Sequence, residues 1–137
     1  MRSYKFLPHT ADVRILAQGS SIAELFCASL EALCQVLVPS DSFDRNNASL
    51  SLIIEIESTD TTTLLIDFLS AALTRMYLNN ALLPFATFEL LTDTSVKAVI
   101  SGFEALDFQE DVKAVTYHEA EVTKVGNSYK TTIVIDI

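Results

Sequence analysis

The chain has 137 residues, a length typical of one domain, so we expect a single domain over 1–137. Apolar residues make up 50% of it, enough for a sizeable core, and 18 acidic against 9 basic side chains give a net charge of -9. This charge argues against strong direct binding to nucleic acid and against a polybasic membrane anchor, since both need clustered Lys and Arg. An acidic domain is better suited to a basic protein partner or to cations.

The start of the chain and its two cysteines indicate a cytoplasmic protein. The first residues lack the apolar stretch of a signal peptide, and no apolar run approaches membrane length. Cys27 and Cys34 fall in one predicted helix, seven positions apart. At this spacing their Cα atoms are roughly 10 Å apart, too far for a disulfide. We therefore interpret both as small, reduced core residues.

The first predicted elements are a strand and a helix. Apolar and polar residues alternate over 13–18, as they do in a half-buried strand. Ser21 and Glu24 then form a capping box, in which each side chain satisfies a free amide at a helix start. Apolar residues at spacings of three and four predict that this helix continues to about Leu37.

A second strand and a second helix follow. Residues 48–57 alternate again, which predicts a strand with one apolar face. Asp60 or Thr61 is placed to cap the next helix, which has its own apolar stripe. This helix is predicted to end near Asn79 and Asn80, because asparagine tolerates the left-handed conformation that terminates helices.

The rest of the chain reads as strands. Residues 85–92 and 95–103 predict a hairpin, and 112–125 and 128–137 predict another pair joined by a tight turn at Gly126. The order is therefore β-α-β-α-β-β-β-β. The expected fold is an α+β domain with both helices packed on a largely antiparallel, mixed β-sheet.

Two polar segments are candidates for chemistry. His9 and Asp12 lie in a polar stretch before the first predicted strand, and could serve a nucleophile or a metal or simply form a turn. Lys113 and His118 bound the other segment, where the alternatives are a solvated lysine and a hydrogen-bonded structural histidine. Neither a Gly-x-Ser-x-Gly motif nor a phosphate-binding glycine loop is present, which argues against acyl transfer and nucleotide binding.

The end of the chain is a third candidate. A strand pattern runs to Ile137, so Asp136 and the terminal carboxylate would be adjacent oxygen groups held by a strand. Carboxylate and carbonyl oxygens suit Ca²⁺ or Mg²⁺, and the lack of paired His and Cys argues against structural Zn²⁺. With Asp12 the set would still be too small for a closed calcium site, so any such site would be open to water or a partner. The alternative is an Asp136 that simply faces solvent.

Four blocks of residues, spread in order along the chain, support a specific resemblance. They are Tyr4 with Pro8-His9-Thr10-Ala11-Asp12-Val13 and Gly19, Leu64-Leu65-Ile66-Asp67-Phe68-Leu69, Val112-Lys113-Ala114-Val115-Thr116-Tyr117-His118, and Val134-Ile135-Asp136-Ile137. In these blocks the sequence resembles the archease family, and its main departures lie in 81–111. Archeases assist the RtcB-type RNA ligase, which joins RNA ends in tRNA splicing with GTP and metal ions.

The resemblance implies a role and a set of site residues. The protein would promote guanylylation and multiple turnover of the ligase, and would not itself be an enzyme. Asp12, Asp136 and Ile137 would hold a divalent metal, with Ca²⁺ as the first choice and Mg²⁺ or Mn²⁺ as alternatives. Lys113 would be important for activation, and His9 and His118 would be neighbours of the site.

Two other functions and one assembly state remain as alternatives. The first function is a chaperone-like binding module, and the second is a metal hydrolase built on His9, Asp12, His118 and Asp136. An exposed edge strand could also pair with a copy of itself and form a homo-oligomer.

Overall fold

The computed structural model describes residues 1–7, 12–105 and 107–137, which form two α-helices and two antiparallel sheets. In chain order the elements are β1 (Ser3–Leu7), β2 (Val13–Gly19), α1 (Ile22–Leu37), a 3₁₀ turn (Arg45–Asn47), β3 (Leu50–Glu57), α2 (Thr61–Asn79), β4 (Ala81–Leu91), β5 (Ser95–Glu104), β6 (Ala114–Thr116), β7 (Thr123–Val125) and β8 (Ser128–Asp136).

The two sheets differ in how their strands are joined. Sheet A has the order β1-β2-β8-β6, and β7 also pairs with β8, so β8 is the central strand. Sheet B is a three-stranded meander in the order β3-β5-β4. Every strand pairing in the described residues is antiparallel.

Local capping determines where both helices begin. The Ser21 hydroxyl accepts the Glu24 N–H at 3.1 Å, as predicted for α1. The predicted capping box is wrong in one respect, because the Glu24 carboxylate accepts the N–H of Ser20 at 3.2 Å rather than that of Ser21. The Asp60 carboxylate accepts the Thr63 N–H at 2.7 Å and starts α2.

The core lies around the two helices, each of which contacts both sheets. The rings of Phe26, Phe68 and Phe88 join α1, α2 and β4, with centroids 5.5 to 6.0 Å apart.

Cys34 is fully buried and Cys27 half-buried, and both are free thiols, as the spacing predicts. Burial raises the pKa of each thiol, which favours the protonated form over the more reactive thiolate. Neither helix in the described part of the chain combines the length and apolarity needed to cross a bilayer.

The predicted fold class is confirmed, with corrections to the strands. The single strand expected over 112–125 is wrong: it is two short strands, separated by a turn in which Glu119 has φ +60°. β1 was not predicted, and β4 begins at Ala81 rather than 85. The strands also form two sheets rather than one. The packing of α1 gives the reason, since 9 of its 16 residues are buried and a buried surface that wide needs cover on two sides.

Candidate metal centre at the end of the central strand

The register of sheet A brings three distant parts of the chain to the end of β8. The β2–β8 ladder ends at the pair of Val13 with Ile135, so Asp12 and Asp136 are the next residues on each side. On the other side of β8, Asp136 pairs with Ala114, and the Lys113 N–H donates to the Asp136 carbonyl oxygen at 2.8 Å. The central strand therefore ends between the segment that starts β2 and the segment that starts β6.

The alternation of side chains along β8 places Asp136 on the outer face of sheet A. Ile133 and Ile135 point inward and are completely buried, whereas Asp136 is exposed. Asp12 is half-buried, and its Oδ1 atom has no contact with solvent. Opposed residues on antiparallel strands share a face, so the register predicts that the two carboxylates face the same side.

An ion pair crosses the same outer face. The Arg14 Nη2 atom lies 3.0 and 2.9 Å from the two carboxylate oxygens of Glu119. Arg14 is in β2 and Glu119 is in the turn after β6, so the ion pair spans β8, the strand that lies between β2 and β6. Sequence reasoning missed this pair, because residues 105 positions apart give no local signal.

Lys113 follows a segment that is fixed to the ends of both helices. The Tyr77 hydroxyl, in the last turn of α2, donates to the Val112 carbonyl and accepts the Val112 N–H, both at 2.8 Å. The Gln109 N–H donates to the Leu37 carbonyl at the end of α1, also at 2.8 Å. Burial raises the pKa of Tyr77, which keeps its hydroxyl protonated and able to donate. The backbone that presents the exposed Lys113 is therefore held firmly.

Of the two histidines proposed from the sequence, only His118 lies within the described residues. His118 is exposed in the turn beyond β6, at the opposite end of that strand from Lys113. His9 lies outside the described residues. The neighbouring Tyr117 hydroxyl instead donates to Asp67 in α2, and this hydrogen bond raises the pKa of Tyr117. The Ser58 hydroxyl donates to the other Asp67 oxygen at 2.6 Å, so Asp67 ties this turn to α2.

The oxygen groups at the end of β8 suit a hard cation. The register predicts the carboxylates of Asp12 and Asp136 at this end of the strand, where Ile137 follows with its backbone oxygens, and Ca²⁺ or Mg²⁺ prefers such ligands. Within the described ranges, His, Cys, Asp and Glu side chains form no group of three or more that could hold a metal. The donor set therefore fits an open site with remaining positions for water or a partner, and does not form a closed cage.

The Tyr77 contact can be tested by removing one oxygen atom. Tyr77→Phe would leave both backbone groups of Val112 without this partner, and Val112 is 1% exposed. We expect the free energy of unfolding to fall by about 1–3 kcal/mol in urea titrations. Tyr117→Phe is the matched control, because its phenol is 57% exposed and water can replace the lost contact. Equal losses in the two variants would contradict a special role for Tyr77.

Comparisons with known proteins agree along the whole chain. The model of the archease protein family matches residues 4–137. Protein archease of Methanosarcina acetivorans is 30% identical over 99% of this chain and 97% of its own length. Protein archease of Sulfolobus acidocaldarius is 29% identical and aligns over 100% of both chains.

Two solved structures share the fold. The solution structure of Methanobacterium thermoautotrophicum protein 1598 has a TM-score of 0.78 at 24% identity and covers 98% of both chains. The crystal structure of the Thermotoga maritima archease, described as a possible chaperone, has a TM-score of 0.63 at 19% identity and covers 97% of this chain and 96% of its own. Because the family match spans nearly every residue, the resemblance stated from the sequence is confirmed, and this chain belongs to the archease family.

Proposed function

We propose that this archease is an accessory protein that activates an RtcB-type RNA ligase. It promotes guanylylation of the ligase histidine and multiple turnover during tRNA splicing, and it holds a divalent cation, Ca²⁺ first, while doing so. The ligase carries out the joining reaction. The proposal rests on family membership together with the convergence of Asp12, Lys113 and Asp136 at the end of β8.

The metal ligands in this proposal are the carboxylates of Asp12 and Asp136 and the backbone oxygens of Ile137. A divalent cation at this position supplies charge neutralisation for the phosphates of GTP during nucleotidyl transfer. These residues lie at an open strand end, so groups from the ligase can complete the coordination. Such sharing would place the cation where the two proteins meet.

Lys113 supplies a positive charge beside these acidic groups. Its side chain is exposed while its N–H is bonded to Asp136, so the ammonium group can reach outward from a fixed backbone. It would contact a phosphate of GTP or an acidic group of the ligase. The net charge of -9 favours approach to a basic, RNA-binding enzyme, because complementary charge speeds association.

The test is guanylylation of the ligase at limiting metal, with and without this protein. We expect the wild-type protein to stimulate the reaction, and Asp12→Ala or Asp136→Ala to reduce the stimulation close to background. Glu57→Ala is the matched control, since it removes an exposed carboxylate from β3, away from the end of β8. Full stimulation by both aspartate variants would refute the metal-dependent mechanism.

A chaperone-like binding module is the second candidate, favoured by the description of the Thermotoga maritima archease as a possible chaperone. It predicts suppression of aggregation of an unrelated protein such as citrate synthase. It also predicts that Asp136→Ala keeps this activity. Light scattering during thermal aggregation separates the two functions, because the ligase activator should not suppress aggregation.

A further inference from the structure

A groove of about 490 Å³ opens at the end of the molecule where both helices finish. One wall comes from the segment that follows α1 and the other from the end of β5. Leu82, the second residue of β4, lies in the base. The backbone N–H of Ala105 donates to the carbonyl of Asn80, the C-cap of α2, at 2.8 Å, which fixes one wall. The apolar lining consists of Val38, Phe43, Leu82, Phe103 and Ala105.

The rim of this groove is negatively charged. Asp44, Glu104 and Asp107 line it, and all three are exposed. Both helices, described over their full lengths, end here without a basic residue in the last turn. Helix carboxyl ends carry a partial negative charge, so they add to the field of the three carboxylates. Arg45, the nearby cation, lies 4.8 Å from the centre of the Phe85 ring, in a neighbouring cleft.

An apolar base beneath an acidic rim selects one kind of occupant. Phosphate groups of nucleic acid would be repelled by the rim. A Lys- or Arg-rich peptide would be attracted by it, and a large apolar side chain of that peptide could be buried in the base. The groove volume falls within the range of about 300–1,000 Å³ that is usual for binding pockets.

We propose that this groove docks a basic segment of the partner protein, with one large apolar side chain inserted against Phe43 and Phe103. The inference rests on the partner-binding role proposed above but not on the metal. The segment from Asp107 to Lys113 joins the groove to the candidate metal centre. A partner held in the groove would therefore place its adjoining surface beside Asp136.

Peptide binding tests the groove without the ligase. The probe is a short fluorescein-labelled peptide of Lys and Arg residues around a central Phe-Leu pair, followed by fluorescence anisotropy in EDTA. We expect binding that weakens steeply with salt. A rim variant with Asp44→Asn, Glu104→Gln and Asp107→Asn should bind roughly tenfold more weakly, from three lost surface charge pairs.

Matched controls separate the groove from general charge attraction. The variant with Glu55→Gln, Glu57→Gln and Asp93→Asn removes the same charge from exposed residues of β3 and of the turn between β4 and β5, all outside the groove, and should bind the peptide as the wild type does. A second peptide with Ser in place of Phe and Leu should bind more weakly than the first. Equal weakening by the two triple variants, or equal binding of the two peptides, would overturn the proposal.

Ligase stimulation then distinguishes this inference from the proposed function. The rim variant should raise the archease concentration needed for half-maximal stimulation and leave the maximum unchanged, whereas Asp136→Asn should lower the maximum. If the wild-type protein binds the peptide but does not stimulate the ligase, the ligase role is refuted and the groove still stands as a docking site for basic peptides. Stimulation with an unshifted midpoint in the rim variant would refute the groove as the docking site.

Discussion

Calcium should raise the thermal unfolding midpoint of the wild-type protein, and Asp136→Asn should remove most of that shift. A ligand that binds the folded state alone stabilises it by about 2.7 kcal/mol at a concentration 100 times its dissociation constant. For a domain of this size that corresponds to a shift of several degrees. The measurement is scanning calorimetry in EDTA and then with added Ca²⁺, Mg²⁺ or Mn²⁺, which also ranks the three cations.

The behaviour without metal distinguishes a ligand from a structural residue. Asp136 is exposed at a strand end, opposite the position of Asp12, so two negative charges share one face. Like charges directly opposed on neighbouring strands are destabilising. We therefore expect Asp136→Asn to be at least as stable as the wild type in EDTA and less stable with calcium. Asp41→Asn, at another exposed carboxylate, should leave the calcium shift intact. A similar calcium shift in Asp136→Asn and wild type would contradict the site.

The elements that the sequence predicts well are those with local signals. The Asp60 side chain and the left-handed Asn80, at φ +47°, mark both ends of α2 as expected. Alternation correctly gives the buried face of β3, where Ile54 is 2% exposed and its neighbour Ile53 is 54% exposed. Each of these features depends on residues within a few positions, so a single sequence contains the information.

The features that the sequence could not predict depend on long-range pairing. The strand over 112–125 alternates well enough to look continuous, but Glu119 turns the chain so that its carboxylate meets Arg14. The groove likewise combines the segment after α1 with the end of β5, and no local sequence pattern predicts that these two parts of the chain come together. For the metal ligands, residue chemistry could only suggest that Asp12 joins the end of the chain, and the family resemblance implied the full set. The register of β2 with β8 gives that grouping a physical basis, and its metal remains a prediction.

Gly102→Ala should be among the most destabilising single substitutions in this protein. A Cβ atom added at Gly102 would lie 1.8 Å from the backbone oxygen of Leu82 and 2.9 Å from the Cα of Leu83. Both neighbours are buried backbone at a register shift between β4 and β5, so no flexible side chain can move aside. We expect the free energy of unfolding to fall by about 3 kcal/mol, the upper end for overpacked sites, in guanidinium titrations.

Gly126→Ala is the control, because a side chain at Gly126 would have space but would require an unfavourable backbone conformation. It sits at φ +63° in the turn between β7 and β8, and its added Cβ would have open space within 4 Å. Its cost should be about 1 kcal/mol, from backbone strain alone. Equal losses at the two glycines would show that β4 can move away from β5. Such movement would matter for function, since Leu82 and Phe103 line the groove and flank the Gly102 contact. A Gly102→Ala protein that still folds should therefore lose peptide binding while its calcium shift, at the end of β8 in the other sheet, persists.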